Sequence, residues 1–155
     1  MFVYRVEMRA SFLKESKRDG SITRHQNFGP YRGDMLDIDE CGYLNEAGFY
    51  DIQIGLREDD HPIPQDDRRL SRGLHRESLY HGDDITTMGY YFGFTSKQKL
   101  ARWFDKYDRE KLHNAGFGCF VYDVRNHDAI AGNKQAIFKL KRSELLAFIP
   151  LTEIY

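Results

Sequence analysis

The chain has little that would commit it to an oxidising compartment, a membrane or a cofactor. Its two cysteines, Cys41 and Cys119, stand far apart with no CxxC spacing. That reads as reduced thiols in a cytoplasmic protein, not as a disulfide framework. No apolar run approaches the ~20 residues that a bilayer-spanning helix needs. Arg5, Glu7 and Arg9 interrupt the N-terminal apolar stretch, which excludes a signal-peptide core there. An excess of one charge is missing too: 23 Lys and Arg against 24 Asp and Glu leave a net −1. This balance disfavours a dedicated nucleic-acid binder, which carries a basic excess, but leaves room for a local basic patch. P-loop, GxGxxG, GxSxG and HExxH motifs are absent.

What is present is enough for one core. A length of 155 residues predicts a single domain spanning 1–155. Folding a chain of this size hides roughly 69% of its surface. Eleven Phe, ten Tyr and one Trp supply large side chains to bury. Phe2, Tyr4, Val6 and Met8 alternate with Val3, Arg5 and Glu7, which predicts an opening strand. Residues 57–84 form a charged excursion: thirteen of the 28 are Asp, Glu or Arg and three more are His. Within it, 68–80 has the pattern of a short helix with Leu70, Leu74 and Leu79 inward. An aromatic strand is expected over 88–95. A helix follows from Lys97 to about Tyr107, its apolar stripe made by Leu100, Trp103, Phe104 and Tyr107. Further strands are expected at 118–124, 135–140 and beyond 145, with a break near Pro150. The class is α+β, mostly antiparallel strands with a few helices.

Polar residues that might carry chemistry are scattered. His75 and His81 with Asp83 and Asp84 lack the spacing of a ligand set on a rigid scaffold, so no metal is expected. Asp59, Asp60, Asp66 and Asp67 flank His61-Pro62. They offer carboxylates to a divalent cation or a basic partner, against the plainer reading of a solvated loop. Cys119 sits in a strand between Gly118 and Phe120, where a buried thiol behaves as a small apolar group.

Four segments in order are more informative. These are Val3-Tyr4-Arg5 on the first strand, Phe94-Thr95-Ser96 running into a helix, the strand around Phe120-Val121-Tyr122, and Lys134-Gln135-Ala136-Ile137-Phe138. The order resembles the toxin-type ADP-ribosyltransferase superfamily. The resemblance implies a split antiparallel sheet around a cleft, with NAD as the cofactor. It assigns cofactor contacts to Tyr4, Arg5, Thr95 and Ser96, and the catalytic position to Gln135. A guanidinium suits phosphate or ribose oxygens, and tyrosines suit stacking on a base. The sequence departs from the superfamily where the catalytic Glu is expected. Gln135 offers a dipole there but no negative charge. The implied function is therefore binding of a nucleotide-type ligand or a host protein, as an inhibitor or anti-defence protein would. The alternative is active NAD-dependent ADP-ribosyl transfer onto a host macromolecule.

A second resemblance is to small phage-encoded proteins. It rests on Gly29-Pro30-Tyr31-Arg32, His61-Pro62-Ile63-Pro64, Phe92-Gly93-Phe94-Thr95-Ser96 and Leu100 with Trp103-Phe104. It implies a phage or bacterial protein of the cytoplasm, with no membrane association.

Overall fold

Backbone pairing of the alternating N-terminal segment organises the fold. The computed structural model describes residues 1–8, 29–30, 63–80, 85 and 87–155. Strand β1 (Phe2–Met8) lies antiparallel to β3 (Phe117–Asp123), with Arg5 opposite Phe120. On its other side β3 pairs antiparallel with β6 (Glu144–Ile149), with a register shift at Val121/Tyr122. A second antiparallel sheet has the order β2 (Tyr90–Gly93), β5 (Ala136–Lys139), β4 (Ala129–Ala131). Three helices complete the described residues: α1 (Arg68–Arg76), α2 (Lys97–Trp103) and α3 (Lys106–Asn114). The chain is thus α+β with antiparallel sheets. The strands fall in two three-stranded sheets.

A backbone bridge links the two sheets. Tyr4 and Phe94 exchange both backbone hydrogen bonds, each at 2.8 Å. Glycine at 93 permits this approach, because a Cβ there would lie 2.5 Å from Val3 Cγ1. The apolar groups gather in three clusters. Val6, Phe94, Leu100, Phe104, Leu112 and Phe117 join α2 and α3 to the first sheet. Leu70, Leu74, Leu79, Ile85, Tyr90 and Ile137 join α1 to the second. Val3, Tyr122, Val124, Phe138 and Leu140 fill the space between the sheets.

The long helix expected over 97–107 is two helices. Phe104 ends α2, and the Asp105 carboxylate caps a new helix by accepting from Asp108 N at 2.8 Å. The break turns Tyr107 out to 72% exposure, and Leu112 takes the inward position on α3. Trp103 is only partly buried, against Phe94 at 5.6 Å, while Phe104 is buried.

Part of the charged excursion is built into the core. Leu70, Leu74 and Leu79 are buried as expected. Asp67, expected among carboxylates facing solvent or a cation, is buried instead. It caps α1 by accepting from Leu70 N at 3.3 Å. It also accepts from Asn133 N at 2.9 Å and Lys134 N at 2.7 Å, and so clamps the turn before β5 onto the helix. Burial alone would raise its pKa, but the backbone N–H groups of Lys134, Asn133, Leu70 and Gln135 outweigh burial and hold it below the ordinary 3.8. Of the other expected features, Cys41, Asp59, Asp60, His61, His81, Asp83 and Asp84 lie outside the described residues.

Two stability results are expected. Phe104→Ala should lose about 3–5 kcal/mol in urea unfolding, as for a fully buried ring, and Trp103→Ala less. Asp67→Asn should also destabilise the fold, with a pH signature. A depressed carboxylate pKa stabilises the fold above the unfolded-state value and loses that contribution as pH falls through the folded-state value. The gap between wild type and Asp67→Asn should therefore be full near neutrality and close progressively below about pH 3.8.

Candidate functional site

The alternation of β1 puts Val3, Arg5 and Glu7 on one face, turned toward the space where the two sheets meet. Arg5 is 5% exposed and Glu7 1%. A buried guanidinium needs a counter-charge and acceptors, and both are supplied here. Arg5 Nε donates to Glu7 Oε1 at 2.9 Å, and Arg5 Nη1 donates to the Phe92 carbonyl on β2. The guanidinium also lies over the Tyr91 ring, 5.0 Å from its centroid, and close to the backbone at Gly29. From β3, the Tyr122 hydroxyl lies 2.9 and 3.0 Å from the two Glu7 oxygens and donates to the carboxylate. One network thus joins β1, β2 and β3.

Burial dominates the electrostatics of this network. It raises the Glu7 pKa above its ordinary value, against the opposing pull of Arg5 and the Tyr122 hydrogen bond. Burial and then the adjacent Glu7 charge push the Tyr122 hydroxyl upward. Cys119, buried on β3, is pushed up to about 12 by burial, so it stays a thiol and is no nucleophile.

The residues implied by the superfamily resemblance are distributed around the junction of the sheets. Tyr4 is half-buried and forms the backbone bridge to Phe94. Arg5 is directed into the Glu7 network. Thr95 and Ser96 are half-buried in the link from β2 to α2. The Ser96 hydroxyl caps α2 by accepting from Lys99 N at 3.2 Å. Gln135 is buried just before β5, and its carbonyl accepts from Gly132 N at 2.8 Å. The backbone contacts of Gln135 thus belong to the Asp67 clamp, and the Arg5 side chain bonds to Glu7 and β2. The sequence marks Asp67 only as one of a group of acids and Tyr122 only as part of a strand, without the partners that the structure gives them. Glu7 was visible as the acid two residues after Arg5 on the same strand face.

Elsewhere, two adjoining hollows open around the Asn126–Asp128 turn. One, of about 550 Å³, is lined by Met1, Arg125, Asn126, Lys141 and Arg142 among others. Its neighbour, of about 340 Å³, is lined by Arg69, Gly73, Arg76, Asn126 and His127 among others. Among the described residues, no three His, Cys, Asp or Glu side chains gather into a group that could hold a metal ion. No described helix is long and apolar enough to cross a membrane.

Breaking the buried pair should cost more than deleting it. Glu7→Gln leaves Arg5 without its counter-charge, and thermal and urea unfolding should show a loss of about 3–5 kcal/mol. The double change Arg5→Met with Glu7→Leu should recover most of that loss. A single variant as stable as wild type would remove the network from the fold's requirements.

No solved structure matches the chain. A 19.7 kDa protein in the motB-dexA intergenic region of Enterobacteria phage T4 is 27% identical to it. That similarity covers 97% of this chain and 99% of the phage protein. A family model matches residues 1–152, nearly the whole sequence. The chain therefore belongs to the bacteriophage T4 Y00F protein family.

Proposed function

We propose that this phage protein works by binding and not by ADP-ribosyl transfer. On this reading the junction of the two sheets is a degenerate form of an ADP-ribosyltransferase-like cleft. The observation that carries the reading is the buried Arg5–Glu7 pair. The guanidinium implied for NAD is already neutralised, bonded to β2 and stacked on Tyr91. Glu7 does not replace the missing catalytic acid, because it is buried and its oxygens are engaged by Arg5 and Tyr122. Gln135 brings no charge to stabilise a cationic ribose carbon. The partner is then a nucleotide-type ligand or a host component in the bacterial cytoplasm, held as an inhibitor or anti-defence protein would hold it.

The competing reading is active, NAD-dependent transfer. The Tyr4–Phe94 bridge favours it, since it draws Tyr4, Arg5, Thr95 and Ser96 toward one junction in the superfamily's order.

Calorimetry with NAD and ADP-ribose, together with transfer of label from NAD in host extract, separates the two. Binding without chemistry predicts no label on any macromolecule, and no nicotinamide release from wild type or Gln135→Glu. Labelled product that disappears in Gln135→Ala would establish transfer and overturn the proposal.

A further inference from the structure

We infer that the face carrying α1, the Asn126–Asp128 turn and Lys141-Arg142 binds the phosphodiester backbone of a nucleic acid. This goes beyond the reading of the junction between the sheets and does not depend on it.

Close packing creates the surface. A Cβ at position 73 would lie 2.2 Å from Ile130 Cγ2, so only glycine lets α1 settle this tightly against β4. Arg69 and Arg76 lie four residues before and three after Gly73, which puts them on the same side of the helix. They therefore stand at the margin of the sheet and line a hollow with Asn126 and His127. In an ordinary amphipathic helix the side turned to a neighbouring strand is apolar. Here Leu70 and Leu74 do the burying, and the adjacent stripe is Arg-Gly-Arg.

The second hollow has Asn126 in common with the first, and there Arg125, Lys141 and Arg142 supply further cations. The acids nearby are largely matched within the fold. The N-terminal amine lies 3.7 Å from Asp123, and Arg142 lies 3.3 Å from the buried Asp128, which His127 also approaches. Glu77 and Glu144 line the hollows without such a match. Arg69, Arg76, Arg125 and Lys141 are exposed and make no ion pair with an acid among the described residues. A net charge of −1 for the whole chain thus coexists with two cation-lined hollows on either side of Asn126.

Guanidinium forks match phosphate oxygens in pairs, and three of these four unmatched cations are arginine. A mononucleotide would fill one hollow and leave the other's cations unused. A chain of phosphates running past Asn126 meets both. Cations in two hollows that share Asn126 favour a nucleic-acid backbone over a small phosphate ligand. Backbone recognition also needs no base-reading elements, because phosphate contacts carry affinity without sequence.

The test is fluorescence anisotropy of the full chain with labelled single-stranded and duplex DNA across 50–200 mM salt. The proteins compared are wild type, Arg69→Gln/Arg76→Gln, Arg125→Gln/Lys141→Gln and, as control, Lys106→Gln on α3. Unchanged melting temperatures establish that the variants fold. Binding should weaken steeply with salt and show little sequence preference. Each double variant should lose at least tenfold in affinity and lower the salt slope by about two, one for each phosphate contact removed. Lys106→Gln should match wild type. Absence of binding at 50 mM salt, or equal binding by all variants, would overturn the inference. So would displacement of the oligonucleotide by polyglutamate at equal charge concentration, which would identify an acidic protein partner. Displacement by a mononucleotide as effective as the oligonucleotide would identify a small ligand and also overturn it.

Discussion

A full positive charge buried where two sheets meet constrains everything around it. Arg5 is nearly inaccessible, so its charge must be cancelled and its N–H groups given acceptors inside the protein. Glu7 supplies the charge from the same strand, the Phe92 carbonyl an acceptor from β2, and Tyr122 on β3 saturates the carboxylate. A shift of any one of these strands leaves a buried charge or carboxylate without its partner. The register of β1 against β3 and the crossing of β1 on β2 are therefore coupled electrostatically as well as by backbone pairing. Apolar packing by Val3 and Phe138 fills the same space but does not by itself distinguish one crossing from neighbouring ones.

A second carboxylate does comparable work at the other end of the second sheet. Among the described residues Asp67 has no cationic partner; backbone amides from α1 and from the turn before β5 converge on it. Those amides would otherwise be orphaned at a helix start and in a tight turn. Lys99 Nζ donates to the Gly132 carbonyl of the same turn, which also ties α2 to it. This clamp and the Gly73–Ile130 contact fix α1 along its length, one at the N-terminus and one near the last turn.

Much of this was legible in the sequence, and the reasons for the rest are physical. Strand alternation correctly placed Arg5 and Glu7 on a common face, and Leu70, Leu74 and Leu79 correctly marked the inward side of α1. The helix break at Phe104 was missed because the apolar spacing continues through Tyr107. Asp105 had to be recognised as a cap for the second helix. Asp67 looked like one of several solvent-facing acids because two of its amide partners, Asn133 and Lys134, lie about 66 residues away, and amides leave no mark in composition. The cation-lined hollows were invisible in a net charge of −1, since net charge records the sum of charges and not their arrangement.

The same local sequence feature, an arginine on an opening strand, serves very different ends depending on what stands two residues later. With a small or apolar neighbour on that face, the guanidinium keeps its hydrogen-bonding capacity for a ligand's phosphate or ribose. An acid at that position, close enough to bond in a low-dielectric setting, takes up that capacity within the fold. In this chain Glu7 is that acid, and Tyr122 holds its carboxylate in place. Outside that network Arg69, Arg76, Arg125 and Lys141 are exposed. They line two hollows that share Asn126, beside α1 and the Asn126–Asp128 turn. The division follows from dielectric environment: a buried arginine is most valuable as a fixed structural contact, while exposed arginines keep their donors available at modest desolvation cost.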